Sequence, residues 1–187
     1  MGRVTTAAPV LRPYRSPDDA SATLATCRRA IGVSAAEVYT PEQVAAWLGP
    51  DDVDLAAWDA RRRAAWAVVA EVDGALVGFA DLLPEGLVDM LFVHPVAGGR
   101  GVARALLTAV EAEARARGLT GLRTYASRRA RPVFERLGWV VTVDRQDNTV
   151  RGVVVPNVEM RRDLTEPDGS LSDRWDEPPA RPGRLRP

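Results

Sequence analysis

The chain has 187 residues, enough for one domain with a substantial core and too few for two ordinary ones. Its hydrophobic fraction of 46% fits a globular protein rather than a disordered one. The 25 cations, all of them Arg, are balanced by 25 carboxylates, so no broad basic field exists to draw nucleic acid or an anionic membrane. The one cysteine, Cys27, excludes an intramolecular disulfide, and with the single His94 it cannot build a structural zinc site. No apolar run approaches the length of a membrane span. Residues 1–9 lack the apolar stretch of a signal peptide, so a cytoplasmic protein is the expectation.

Residues 1–9 read as a flexible arm and 10–15 as a short strand weakened by Pro13. Ser16-Pro17-Asp18-Asp19 reads as a helix start, with Ser16 as N-cap and acids in the first turn. That helix is expected to run to about Ile31 and stop at Gly32. A second start lies at Thr40-Pro41-Glu42-Gln43, where Gln43 completes a capping box with Thr40. It ends near Leu48-Gly49-Pro50. Residues 51–63 read as helical, with Leu55 and Trp58 on one side. Three strands follow over 65–72, 76–83 and 87–93. Asp73-Gly74 supplies a hairpin turn between the first two, and Pro84-Glu85-Gly86 a turn before the third. The simplest arrangement is an antiparallel meander.

Pro95 ends the third strand. The clearest helix covers 102–117, where Val102, Leu106, Val110 and Ala114 recur every four residues. Glu111–Arg115 and Glu113–Arg117 are supporting i,i+4 pairs, and Gly118 supplies the stop. A strand over 119–125, a short helix over 128–137 and two last strands over 139–144 and 150–160 complete the pattern. Residues 165–187 hold five prolines and few apolar groups. Such a segment cannot bury enough surface to offset its ordering entropy and is expected to be a disordered tail, with Trp175 the one group able to dock. The folded domain is therefore placed at 10–164.

The most informative segment is Leu91-Phe92-Val93-His94-Pro95-Val96-Ala97-Gly98-Gly99-Arg100-Gly101-Val102-Ala103-Arg104. It joins a strand to a helix through a glycine-rich loop. Unpaired N–H groups at a helix start, the helix dipole and Arg100 together make an anion site suited to a pyrophosphate. It is not a P-loop, because no Gly-Lys-Ser/Thr ending follows. It is not the dinucleotide fingerprint, because the preceding strands read as a meander rather than a βαβ unit.

Gly98-Gly99-Arg100-Gly101-Val102-Ala103 resembles the acetyl-CoA signature of the GNAT superfamily, Gln/Arg-x-x-Gly-x-Gly/Ala. Gly101 and Ala103 fit, and Gly98 departs from the usual Gln or Arg. Leu91-Phe92-Val93-His94-Pro95 matches the family's fourth strand. A second block, Ser127 to Trp139, resembles Asn-x-x-Ala-x-x-x-Tyr-Glu-Lys-x-Gly-Phe. Here Ser127 replaces the common Asn and Phe134 the common Tyr. Tyr39-Thr40-Pro41-Glu42-Gln43, Trp47 and the block from Asp89 to Pro95 further resemble an uncharacterised bacterial subgroup, the YafP type. The resemblance covers roughly residues 10–164. It implies an α/β mixed sheet of six or seven mostly antiparallel strands flanked by helices, with a V-shaped gap between the strands near Val93 and Leu122. Acetyl-CoA is implied as co-substrate, with no metal. The implied reaction is N-acetyl transfer to a primary amine in a ternary complex.

The resemblance assigns cofactor contacts to Leu91, Phe92, Val93, Gly98, Gly99, Arg100, Gly101, Val102, Ala103, Arg104, Ser127 and Phe134. In many members the Tyr at position 134 protonates the departing thiolate, which Phe cannot do. Tyr125 and Ser127 are nearby alternatives, and unaided departure is another. Amine attack requires loss of a proton. Asp89, placed by alternation on the face of Leu91 and Val93, is the candidate base, or holds a water that is. Glu37 is a second candidate, as base or amine anchor. Tyr39 lies in the region expected to shape the acceptor side, and Trp47 and Trp58 read as core packing, with lining of that side as the alternative. His94 reads as a turn residue and Cys27 as a small core residue. Arg61-Arg62-Arg63 and Arg128, Arg129 and Arg131 read as solvated faces, the second within reach of the CoA 3′-phosphate. The expected partner is a small-molecule or peptide amine, with no nucleic acid or membrane, and a homodimer is compatible with the family. The rival function is a non-catalytic acetyl-CoA-binding sensor or interaction module, supported by Phe134.

Overall fold

A computed structural model of the chain describes residues 8–165. The tail beyond Thr165, Trp175 included, and most of the N-terminal arm lie outside the described residues. Seven strands form one sheet in the order β1-β2-β3-β4-β5-β9-β6. They are β1 (Val10–Pro13), β2 (Trp66–Val72), β3 (Ala75–Leu82), β4 (Leu87–Val93), β5 (Gly121–Ser127), β6 (Val140–Arg145) and β9 (Asn157–Asp163). All neighbours are antiparallel except β4 and β5. The expected mixed sheet flanked by helices is therefore present.

Helices cover both faces. On one lies α4 (Val102–Ala116), whose Val102, Leu106, Val110 and Ala114 are buried against the sheet. Helix and sheet approach closely at Gly78, where an added Cβ would stand 3.0 Å from Val102 and 3.2 Å from Leu106. The helix α5 (Arg131–Glu135) packs on the same side through Phe134, edge-on to Trp139 at 5.1 Å. The opposite face carries α1 (Ala20–Arg29), α2 (Pro41–Leu48) and α3 (Leu55–Ala64). Their core includes Cys27, Ile31, Tyr39, Trp58, Val69 and Phe79.

Several expectations need correction. Ser16 does not cap a helix. Its hydroxyl donates to Asp59 at 2.7 Å, and α1 begins only at Ala20. Gly32 does not stop the chain's winding, which loosens into a π-helical turn over Ala30–Ser34 and a 3-10 turn over Ala35–Glu37. The last strand is not continuous over 150–160. Residues Thr149–Val150 (β7) and Val153–Val154 (β8) form a separate hairpin, and β9 starts after Pro156. Pro156 has no N–H for a ladder, so the break falls there. The Thr40–Gln43 capping box forms as expected. Asp54 caps α3 through the N–H groups of Ala56 and Ala57. Among the described residues no helix is long and apolar enough to cross a membrane.

Candidate active site

The site is a fork in the sheet. Parallel strands β4 and β5 pair only at Leu87↔Arg123 and Val88↔Thr124. At the vertex the Thr124 hydroxyl donates to the Val88 carbonyl at 2.9 Å. Beyond it, β4 stays paired with β3 on its other edge, from Met90↔Asp81 to Val93↔Gly78. His94 N–H donates to Val77 C=O at 2.7 Å. Alternate residues of a ladder turn their backbone groups to opposite edges. The N–H and C=O groups of Leu91 and Val93 therefore face the open gap. Phe92 turns its backbone to β3, and its side chain joins the cluster on the α1–α3 side.

A β-bulge sits at the vertex. The register with β3 shifts between Asp81 and Leu82, leaving Asp89 as the extra residue of β4. Simple alternation fails there. Val88 and Leu91 both pack toward α4, and Met90 packs toward α1–α3. Asp89 is exposed and lines a cavity of about 380 Å³ on the α1–α3 side, together with Met90, Tyr39, Trp47 and Trp58. The same cavity reaches Ala126, Ser127 and Phe134 on the other arm of the fork.

The bulge is held from behind. The Asp81 carboxylate accepts the Met90 N–H at 2.8 Å. Arg62 lies 3.5 Å from Asp81, over the Trp58 ring at 3.6 Å, and donates to the Trp58 carbonyl at 2.9 Å. Both ionic groups are buried. Burial pushes the Asp81 carboxyl up to about 7, against the opposing pull of Arg62 and with a further push from the Asp89 charge. Arg62 is thus no solvated residue. Its exposed neighbours Arg61 and Arg63 conceal it in the sequence. An acid inside the otherwise apolar run of β3 was the available signal for Asp81.

The glycine-rich loop lies at the start of α4. The first backbone bond of the helix joins Ala105 N–H to Gly101 C=O at 2.9 Å, leaving the N–H groups of Val102, Ala103 and Arg104 directed out of the helix end. Gly99 and Gly101 have φ of +74° and +77°, the left-handed region that glycine adopts without strain. Arg100 is exposed beside them, whereas the Val102 side chain is core, so only its backbone is available to a ligand.

Other expected residues are distributed as follows. Glu37 is ion-paired with Arg129 at 2.9 Å, and neither is among the residues lining the cavity. Tyr125 lines the cavity but is exposed, with Arg145 4.7 Å above its ring. Ser127 accepts the Ala130 N–H at 3.1 Å and so shapes the turn into α5. Arg128 bonds Gln146 and Arg131 bonds Glu135. His94 accepts the Val96 N–H, a turn role. Cys27 lines the cavity, and burial pushes its thiol up to about 12, which keeps it protonated at neutral pH.

Tyr39 clamps the two arms. Its buried hydroxyl donates to Pro156 C=O at 2.7 Å and accepts the Arg128 N–H at 2.9 Å, joining the start of β9 to the end of β5. Tyr39→Phe orphans both partners and is expected to lower stability by about 1–3 kcal/mol, read by urea unfolding.

A split parallel pair beside a helix start with outward N–H groups, opening onto a cavity lined by one carboxylate among the described residues, suits an acyl-CoA-dependent transferase. Residues 35–163 match the acetyltransferase (GNAT) domain family. The chain is 34% identical over 152 residues to the uncharacterised N-acetyltransferase YafP of Escherichia coli K12, covering 81% of this chain and 93% of that one. A GCN5-related N-acetyltransferase from Rhodopseudomonas palustris shares 34% identity and superposes with a TM-score of 0.79, over 87% of this chain and 99% of that one. The fold also matches a putative acetyltransferase, yncA, from Salmonella typhimurium, solved with acetyl-CoA. That match has a TM-score of 0.65 at 22% identity and covers 90% of this chain and all, 100%, of that one. The chain belongs to the GNAT acetyltransferase family.

Proposed function

We propose that the chain transfers an acetyl group from acetyl-CoA to a primary amine by direct attack, with both substrates bound together. The observation that carries this is the fork. Its open β4 edge meets the helix start on one side and the Asp89 cavity on the other. The residues fit acetyl-CoA, because the outward N–H groups at 102–104 and the left-handed glycines form an open anion cradle. When bound, acetyl-CoA supplies an activated acetyl thioester.

The chain's own residues do the rest. The 102–104 N–H groups and Arg100 hold the diphosphate. The Leu91 and Val93 backbone groups pair with the extended arm, as a neighbouring strand would. Asp89, or a water it holds, takes the proton that an ammonium must lose before it can attack. Holding both reactants in one cavity supplies much of the acceleration. Cys27 is buried, and burial pushes its thiol up, so no acyl-cysteine step is invoked. Phe134 carries no hydroxyl to protonate the leaving sulfur, so CoA departs as the thiolate and takes its proton from solvent.

Phe134 favours one rival, a non-catalytic acetyl-CoA-binding module. The two separate by release of CoA thiol. Amine-dependent release above the rate without protein supports the enzyme. Tight acetyl-CoA binding without release, across primary amines of varied charge and size, supports the module.

A further inference from the structure

We infer that the acceptor is a primary amine with a single positive charge on a compact aromatic or aliphatic body, seated against the aromatic wall between α2 and β4. This rests on the acetyl-transfer reading above. Tyr39 and Trp47 meet edge-on at 5.8 Å, and Trp47 and Phe92 lie 6.5 Å apart. Phe92 stacks on Phe79 at 5.8 Å, which meets Trp58 at 6.1 Å. Tyr39, Trp47 and Phe92 line the cavity as a continuous run of rings, and Trp58, also in its lining, is joined to them from behind through the buried Phe79. Aromatic side chains mutually braced in this way give a rigid apolar surface with little ordering cost on binding.

Charge narrows the class. Among the described residues lining the cavity, Asp89 is the only carboxylate, and Arg28, Arg61 and Arg151 also line it. Arg28 pairs with Asp51 and with the carbonyls of Leu48 and Pro50, and Arg151 bonds the Ala46 and Trp47 carbonyls. Asp51 thus balances the Arg28 charge, while Arg151 is held by carbonyls alone and keeps its positive charge at the cavity. One ammonium is matched by Asp89. A second ammonium on the same molecule would meet guanidinium groups with no further carboxylate to balance it. Volume narrows the class again. The cavity of about 380 Å³ also includes Ala126 and Phe134, on the arm of the fork where the thioester end enters. At about 380 Å³ in all, the cavity is at the small end for a ligand pocket, which suits a compact acceptor body.

The test uses the full chain with saturating acetyl-CoA and follows CoA thiol release. The acceptors are 2-phenylethylamine, spermidine and a lysine peptide with a blocked N-terminus. The expected result is kcat/KM for 2-phenylethylamine at least ~10-fold above the other two, the discrimination an apolar pocket achieves. Trp47→Leu should raise KM for 2-phenylethylamine with little change in kcat, while the acetyl-CoA-induced rise in Tm persists and shows the variant folded. Equal or better use of spermidine or the peptide overturns the inference. So does release with none of the three while the acetyl-CoA shift is intact. Absence of any acetyl-CoA shift in the unaltered chain would bring down the acetyl-transfer reading itself, and this inference with it.

Discussion

Arg62→Ala is expected to lower stability by about 3–5 kcal/mol at pH 8, measured by urea unfolding. Arg62 is 1% exposed, and its guanidinium lies on Trp58 and faces Asp81. Removing it leaves an uncompensated buried carboxylate and a cavity between the rings of Trp58 and Phe79, the latter 5.7 Å from the guanidinium. The loss should depend on pH. The folded-state pKa of Asp81, about 7, lies above the ordinary carboxyl value, so between roughly pH 4 and 7 the native state binds more protons than the unfolded one. The protonated Asp81 therefore favours folding fully below the unfolded value, and that contribution is lost as pH rises through about 7. Arg62→Ala should accordingly cost less at pH 5 than at pH 8. An Asp81→Asn variant should gain in Tm relative to the unaltered chain as pH rises across the same window. A constant gap in both comparisons would show that Asp81 does not titrate there.

Asp89→Asn is expected to lower kcat by about 10²–10⁴-fold with little loss of acetyl-CoA binding. Asp89 is presented to the cavity by the bulge, and no other carboxylate among the described residues lines it. The amide keeps the shape and loses the proton acceptor. Steady-state rates at saturating amine, with a thermal-shift control for acetyl-CoA, read the result. Unchanged kcat would assign Asp89 to the strand end alone and leave deprotonation to solvent.

The sequence carried the frame of this molecule because its local signals agree with its packing. The four-residue recurrence along α4, the Asp73-Gly74 turn and the Thr40–Gln43 box each specify an element that tertiary contacts reinforce. The glycine-rich loop was legible because left-handed backbone and a helix start leave a mark in residue type. The misplaced parts arise from interactions between distant residues. Ser16 reads as an N-cap until Asp59, on another helix, takes its hydroxyl. Strand alternation put Asp89 on the face of Leu91, and one bulged residue pinned by Asp81 overturned that. Arg62 looked solvated among its neighbours, because helical periodicity alone does not say that one Arg of three finds a buried acid on a strand. Glu37 is in the expected region, yet its partner Arg129 draws it to the surface.

The binding of acetyl-CoA at the start of α4 is the claim on which the rest depends. Its direct test is the thermal stability of the purified chain with and without acetyl-CoA, repeated for Gly101→Ala and Gly101→Glu. A ligand held only by the native state adds about 2.7 kcal/mol at a hundredfold excess over Kd. An added Cβ at Gly101 meets nothing within 4 Å, so the Ala variant bears only backbone strain, whereas Glu brings a carboxylate into the anion cradle. The account predicts a clear rise in Tm for the unaltered chain, retained in Gly101→Ala and abolished in Gly101→Glu. No rise at millimolar acetyl-CoA, or a rise that survives Gly101→Glu undiminished, would contradict it.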